Sequence, residues 1–193
     1  MAKANKHLTH VEDRILIDGK KGAEEAIKIL KEMGKFLSGT PGPGVAVTTK
    51  WDGAPAVVCG TDPADGKFFV GTKSVFAQSP KLCKTDADID QWYNGELNSK
   101  LKASLKYLPQ ANIRGVLQGD LMFTNDKVYE KIKGKRYITF RPNTITYAAD
   151  PDTPLGKKIA AAQIGIVFHT KYTGTDLSNM QASFKINDND FKT

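Results

Sequence analysis

Residues 48–56, with the sequence TTKWDGAPA, hold the side chains of this chain that are best suited to chemistry. The alternating pattern of residues 45–50 predicts a strand, which would place Lys50 and Asp52 on one face and Trp51 on the other. Gly53 allows a tight turn and a close approach of the backbone to a ligand. A lysine amine attacks phosphorus only after losing its proton, which burial, neighbouring cations or a bound metal can favour. Lys50 is therefore the candidate nucleophile, with Asp52 orienting it.

The tetrapeptide Lys50-Trp51-Asp52-Gly53 resembles the KxDG motif of ATP-dependent DNA and RNA ligases and mRNA capping enzymes. In that family the lysine attacks the α-phosphate of ATP or GTP, expels pyrophosphate and holds the nucleotide through a P–N bond. The resemblance implies a lysyl-AMP intermediate on Lys50, an Asp52 that fixes ribose or metal, and a Thr49 backbone that meets the adenine edge. It also implies ATP and Mg²⁺ as cofactors, because a cation offsets the charge of the departing pyrophosphate.

Two later segments are similar to family elements that follow the lysine in the same order. FVGTKSVF supplies Lys73 at the place of a basic residue, more often arginine, that contacts ribose or phosphate. VLQGDLMF supplies Gly119-Asp120 in place of the family's Gly-Glu, so the resemblance implies that Asp120 binds ribose or the metal. We therefore expect Lys50, Lys73 and Asp120 to line one cleft.

The family also stacks an aromatic ring from a later strand on the purine. ITYA at residues 145–148 and IGIVFH at residues 164–169 are both candidates for that strand. We favour the second segment, with Phe168 as the stacking ring, because it is the more apolar of the two.

The chain departs from the family pattern at the next motif, Glu-Gly-aliphatic-Val, whose glutamate helps to hold the metal. IGIV has that outline but carries Ile164 in the place of the glutamate. The resemblance thus covers about residues 45–170, and we expect the family's metal motif and final lysine pair to lie beyond Thr193.

A longer pattern of motifs also resembles a family of tailed-phage proteins. It comprises HLTHVEDRIL, KWDGAP, GTKSVF, PNTITYA and GIVFHTKY. This resemblance implies a bacteriophage source. A phage-encoded protein of this kind is expected in the cytoplasm of the host. The resemblance implies no particular activity.

Hydrophobic periodicity predicts the elements that must position these residues. Helices are expected over 21–38 and 86–108, the second starting at a capping box of Thr85 and Asp88, and a short helix is expected from Thr153. The predicted strands cover residues 45–50, 56–59, 67–71, 113–123, 137–140, 144–148 and 164–169. Helices packed around largely antiparallel strands make the class α+β, and we expect one nucleotidyltransferase-like domain over residues 1–193 with an N-terminal helical part, 1–40.

The composition of the chain favours some classes of binding partner over others. Its net charge of +7 favours a polyanion such as nucleic acid, and no apolar run is long enough to span a bilayer, so no membrane partner is expected. The two cysteines, Cys59 and Cys83, are too few for a disulfide framework and indicate reduced thiols in a cytoplasmic protein.

Together these observations predict an ATP-dependent polynucleotide ligase-like adenylyltransferase that acts on RNA or on a nicked duplex, with RNA the favoured substrate. The alternative is a non-catalytic phage protein of the same fold that binds nucleic acid or a virion or host partner. Ile164 favours this alternative and the Lys50–Asp52 pair opposes it. The basic run of residues 127–136 is compatible with a solvated hairpin, or with a nucleic-acid surface that includes Tyr129 and Tyr137.

Overall fold

A computed structural model describes residues 10–40, 42 and 49–191. The chain divides into two compact units, a first that holds Asn5–Lys50 and a second that holds Trp51–Thr193.

The first unit contains one long helix, α1, Asp13–Leu37, which starts earlier than the sequence pattern predicts. Gly19 interrupts α1 with φ +55°, a conformation that favours glycine, and an ion pair of 2.8 Å joins Arg14 to Glu25 on either side of the break. Several apolar side chains whose spacing predicts this helix are exposed rather than buried: Ile27, Leu30, Met33 and Leu37. The strand expected over residues 45–50 falls mainly outside the described residues, and Thr49 and Lys50 have no regular structure.

The second unit combines two antiparallel sheets with three helices. The helices are α2, Asp86–Trp92; α3, Gly95–Tyr107; and α4, Pro154–Ala161. The strands are β1, Ala56–Thr61; β2, Phe68–Gly71; β3, Val116–Phe123; β4, Val128–Ile132; β5, Lys135–Phe140; β6, Tyr147–Ala149; β7, Gly165–Thr173; and β8, Gln181–Ser183. One sheet has the order β2-β1-β3-β7-β8 and the other the order β4-β5-β6. The α+β class with antiparallel strands agrees with the sequence prediction.

The five-stranded sheet buries both of its faces. One face contributes Val57, Cys59, Leu117 and Leu121 to a core that includes Ile89 of α2 and Leu101 of α3. The opposite face packs Val58, Phe69, Val116 and Tyr172 against a 3-10 helix, Lys73–Phe76, and against Leu177 and Met180. Because strand residues alternate between faces, this division fixes which side chains of β3 can meet a common ligand.

The helix predicted over residues 86–108 is two helices. Tyr93 and Asn94 are extended and Gly95 has φ +58°, so the chain changes direction between α2 and α3. The capping box is confirmed, since the Thr85 hydroxyl accepts from the Asp88 N–H at 3.2 Å and the Asp88 carboxylate accepts from the Thr85 N–H at 2.8 Å. Thr153 likewise caps α4 by accepting from the Gly156 N–H at 3.0 Å.

Both cysteines are buried and free. Burial raises the pKa of Cys59 well above its usual range, and burial together with the charge of Asp88 raises the pKa of Cys83 to about 11. Among the described residues, no helix has the length and apolar character needed to cross a membrane.

Candidate active site

Gly53 lies directly against Asp120 of β3. A Cβ atom added to Gly53 would stand 2.7 Å from the Asp120 Cβ and 2.8 Å from the Leu121 carbonyl oxygen. Around this contact the Ala54 N–H donates to the Leu121 carbonyl at 3.0 Å, and the Leu121 N–H donates to the Pro55 carbonyl at 3.0 Å. The DG half of the tetrapeptide and the acidic residue of β3, far apart in sequence, therefore meet at one end of the sheet.

Asp52 is held by the loop between β5 and β6 and by the first residue of β6. Its carboxylate accepts from the Asn143 side-chain amide at 3.1 Å and from the Thr144 N–H at 3.4 Å. Its own N–H donates to the Tyr147 hydroxyl at 2.8 Å. Asp52 is thus fixed in orientation by the three-stranded sheet and its β5–β6 loop, although it is not part of a strand.

Tyr147 also belongs to a row of aromatic rings that ends near the motif. The ring centroids of Trp51 and Tyr147 are 5.4 Å apart, those of Tyr147 and Phe140 are 5.6 Å apart, and those of Phe140 and Phe123 are 4.9 Å apart. Trp51 is 41% exposed and stands at the open end of the row. Such contacts hold each ring in a defined plane, which is what a platform for a flat ligand requires.

His169 approaches Asp120 because β7 is irregular at that position. Gln118 pairs with Thr170 and Gly119 pairs with Phe168, so His169 is an extra residue with no partner in β3, as in a β-bulge. Its Nε2 lies 3.5 Å from an Asp120 carboxylate oxygen, and its Nδ1 is 2.8 Å from the Thr170 hydroxyl. A carboxylate and an imidazole therefore stand together on the partly exposed end of this face.

Phe168 lies on the other face of the sheet. It pairs with Gly119, next to Leu117 and Leu121 along β3, and packs against the helical core and the ring of Phe191 at 5.8 Å. The bulge at His169 explains the change of side, because it reverses the alternation of β7. The geometry therefore does not fit the expected stacking of Phe168 on a base held beside Asp120, and Tyr147, in the other candidate segment ITYA, is the ring near the motif.

Lys73 begins a 3-10 helix on the same face of the sheet as Asp120. Val75 of that helix packs on Val58, and Val58 pairs with Gln118, which is on the Asp120 side of β3. The Lys73 side chain is exposed, and no carboxylate pairs with it within the described part of the chain. That Lys73 and Asp120 serve one ligand stays a prediction.

Lys50 and Thr49 belong to the first unit, and both are exposed. Lys50 precedes Asp52 by two residues in the chain, and its place beside Asp120 and Lys73 stays a prediction.

The pocket found in the described part of the chain lies away from the predicted site residues. An open pocket of about 520 Å³ is formed by α3 and the segment after β3, with Lys102, Lys106, Thr124, Asn125 and Gln163 among its lining residues. It includes none of the predicted site residues. In residues 10–40, 42 and 49–191, no group of three or more histidine, cysteine, aspartate or glutamate side chains is arranged to hold a metal ion.

The structure offers the Asp120 carboxylate with the His169 imidazole, an oriented second carboxylate on Asp52 next to Gly53, and the cation of Lys73 on the same face of the sheet. Such a set can accept hydrogen bonds from hydroxyl groups and offset phosphate charge, which suits a nucleotide better than an apolar ligand.

A comparison with protein families matches residues 5–193 to a family described as "Family of unknown function (DUF6267)". The chain belongs to that family. Comparisons with curated proteins and with solved structures gave no match. In this member of DUF6267, the candidate site lies beside Asp120 of β3.

Sequence reasoning missed two residues of the site. His169 was visible only as the end of an apolar strand, because nothing in the sequence marks a bulge at that position. Tyr147 lies in ITYA, the candidate segment that was not preferred. The polar residues Asn143 and Thr144 shortly before it could have favoured this segment, since they indicate a strand at the edge of a polar site.

Proposed function

We propose that this protein is a nucleotidyltransferase of the ATP-dependent polynucleotide ligase type, and that Lys50 receives AMP from ATP. The contact of Gly53 with Asp120 carries the proposal. It supports the interpretation of KWDG and GD as two parts of one site, because the pairing of β1 with β3 begins at Ala56 and Asp120 and brings the end of KWDG onto the acidic residue of GD.

In the proposed reaction, the neutral amine of Lys50 attacks the α-phosphorus of ATP. A P–N bond forms as the bond from the α-phosphorus to the bridging oxygen breaks, pyrophosphate leaves, and the nitrogen gives up a proton to solvent. Asp52 and Asp120 bind ribose hydroxyls, and Lys73 offsets phosphate charge. Tyr147 and Trp51 supply the flat apolar surface for the adenine, in the role first expected for Phe168.

The donor set fits Mg²⁺ that is held mainly by the phosphates of the nucleotide. Magnesium in such sites takes one or two protein carboxylates and fills its remaining positions with phosphate oxygens and water, and Asp120 is the carboxylate that would hold it here. When bound, the ion supplies charge neutralisation at the pyrophosphate.

Self-labelling tests the proposal. The protein incubated with α-³²P-ATP and Mg²⁺ should acquire a label that is acid-labile and stable to base, as a P–N bond is. Lys50→Ala should abolish the label, and Lys50→Arg should also abolish it, since it keeps the charge but removes the nucleophile. Lys67→Ala, at an exposed lysine of the turn between β1 and β2, is the matched control and should label as wild type does. Equal labelling of Lys50→Ala would overturn the assignment of the nucleophile.

One observation favours a second candidate, a non-catalytic protein of this fold that binds nucleic acid. Ile164, at the place of the metal-binding glutamate in the resemblance, packs against the helical core and offers no metal ligand. A protein that binds oligonucleotides but takes up no label from ATP or GTP would support this candidate over the first.

A further inference from the structure

The hairpin of β4 and β5 carries a large share of the charge of the chain. Residues 127–136 hold five cationic side chains and one carboxylate, a net +4 within a total of +7 for the whole chain. Every residue of β4 is exposed. Between the two strands, Lys133 and Gly134 both have positive φ, as a two-residue type I′ turn requires.

Two of the five cations have structural roles. The Lys127 ammonium donates to the carbonyls of Ile159 at 2.6 Å and Ala162 at 2.5 Å, and Lys135 forms an ion pair of 2.5 Å with Asp150. In the described part of the chain, no carboxylate pairs with the other three, which are Lys131, Lys133 and Arg136.

The strand register places Lys131 and Arg136 on the same face of the hairpin as the aromatic ring of Tyr129. Lys131 pairs with Arg136 across the hairpin, so their side chains share a face, and Tyr129 lies on that face two residues before Lys131. The Arg136 guanidinium lies over the Tyr129 ring at 4.1 Å from its centroid, and Tyr129 is 52% exposed. We call this face of the hairpin, with the Lys133 tip, the basic face.

We propose that the basic face binds single-stranded nucleic acid, with Tyr129 stacking on a base and the cations of Lys131, Lys133 and Arg136 contacting the phosphates. Unpaired cations next to an exposed, oriented ring match the two features of a flexible strand, its phosphate charge and the flat faces of its unstacked bases. A duplex offers only its phosphates to such a surface, so the ring favours a single strand.

The proposal goes beyond the nucleotidyltransferase proposal and does not depend on it, because binding at the basic face needs no chemistry at Lys50. Lys50→Ala should therefore bind oligonucleotides as wild type does, and the hairpin variants should take up label from ATP as wild type does. Failure of either proposal can be recognised without failure of the other.

The test is the fluorescence anisotropy of a labelled single-stranded oligo(U), measured with wild type and with Lys131→Glu/Lys133→Glu/Arg136→Glu. The triple variant should lose at least about 100-fold in affinity at low salt, and its slope of log affinity against log salt should fall by about 2, since each lost phosphate contact contributes about 0.7 on a single strand. The matched control, Lys28→Glu/Lys67→Glu/Lys106→Glu, changes the total charge equally at exposed lysines on other elements and should lose much less.

The ring is tested separately with Tyr129→Leu, which keeps apolar bulk on the strand but removes stacking. Its affinity for oligo(U) should fall by about tenfold with an unchanged salt slope. Lys133→Asn gives a further check: asparagine suits a type I′ turn better than lysine, so the variant should be at least as stable as wild type while binding more weakly.

Three results would overturn the proposal. Equal losses of affinity in the hairpin and control triple variants would show that binding depends on the total charge of the protein and not on the basic face. If the hairpin variant kept its affinity for oligo(U) but associated with itself, the role of the cations would be to prevent an exposed edge strand from pairing with another chain. Binding of the wild type to anionic vesicles in preference to oligo(U) would assign the face to a membrane surface.

Discussion

The Cα hydrogen of Gly53 faces the side chain of Asp120, and a Cβ at Gly53 would approach the Asp120 Cβ to 2.7 Å and the Met122 sulfur to 3.0 Å. The φ of Gly53 does not call for glycine, so the need for a small residue at this position comes from packing alone. The segment after Asp52 can lie along β3 only because residue 53 has no side chain.

We therefore expect Gly53→Ala to destabilise the second unit by about 1–3 kcal/mol, because the added methyl group must push the segment away from β3 and weaken the hydrogen bonds of Ala54 and Leu121. Urea denaturation measures the change. Gly34→Ala is the matched control: a Cβ at Gly34 in α1 meets nothing within 4 Å, and alanine there should add up to about 1 kcal/mol of stability. A Gly53→Ala protein as stable as wild type would contradict the close contact.

His169→Ala should lower the rate of self-labelling with ATP by about tenfold, if residues that orient a ligand-binding carboxylate have their usual influence. The Asp120 carboxylate would lose the imidazole whose Nε2 lies 3.5 Å from one of its oxygens. The same protein should unfold at nearly the wild-type urea concentration, since His169 is an unpaired bulge residue near the surface. A large loss of stability would instead make His169 a structural residue.

Lys127→Met should destabilise the fold by about 2 kcal/mol, the scale of hydrogen bonds to a charged donor. The ammonium of Lys127 donates hydrogen bonds to carbonyls at the C-terminal end of α4 and lies 4.7 Å from the Phe123 ring centroid. Methionine keeps the apolar stem and leaves those carbonyls without this donor. Lys131→Met, an equal substitution on exposed β4, should change stability by less than about 0.5 kcal/mol. Similar losses in the two variants would argue against a capping role.

The ion pair of Asp190 with Lys171 should make stability depend on pH in the acid range. Burial raises the pKa of Asp190, but the bonds from Lys171 and from the Asn187 N–H outweigh it and hold that pKa below its usual value. A carboxyl whose pKa is lower in the folded state contributes stability above its unfolded pKa of about 3.9 and loses it as the pH falls through the folded value.

Asp190→Asn should therefore cost about 2 kcal/mol near pH 7, and the difference from wild type should shrink below about pH 4. Asp188→Asn, an exposed neighbour in the same turn, is the control and should show little change at any pH. A difference between wild type and Asp190→Asn that is constant from pH 7 to the acid range would show that packing, not charge, explains the loss.

The sequence predicts those parts of the fold that local rules control. The capping box at Thr85 and the two short strands expected at residues 56–59 and 67–71 are confirmed because each depends on neighbours in sequence. The face on which Phe168 lies could not be predicted, because one extra residue at His169 reverses the alternation and only the pairing with β3 creates it. The break between α2 and α3 was missed for a related reason: the apolar spacing continues across Gly95, while the backbone there takes a positive φ.

The last prediction concerns strand joining. Ligation charges the lysine, moves the nucleotide to a 5′-phosphate and then seals, and every step gathers negative charge that needs cations aimed at it. This chain offers Lys50 and Lys73, while Ile164 packs into the core where the resemblance calls for a carboxylate. Losing one such preorganised group costs on the order of 3 kcal/mol, or about 100-fold in rate. We therefore expect residues 1–193 to bind ATP, or to label themselves slowly, without joining nicked duplexes or RNA ends at a useful rate. A gel assay of strand joining measures this, and Lys50→Ala gives the background. Multiple-turnover joining by wild type alone would contradict this, and would mean that residues 164–169 serve as the metal motif although Ile164 offers no metal ligand.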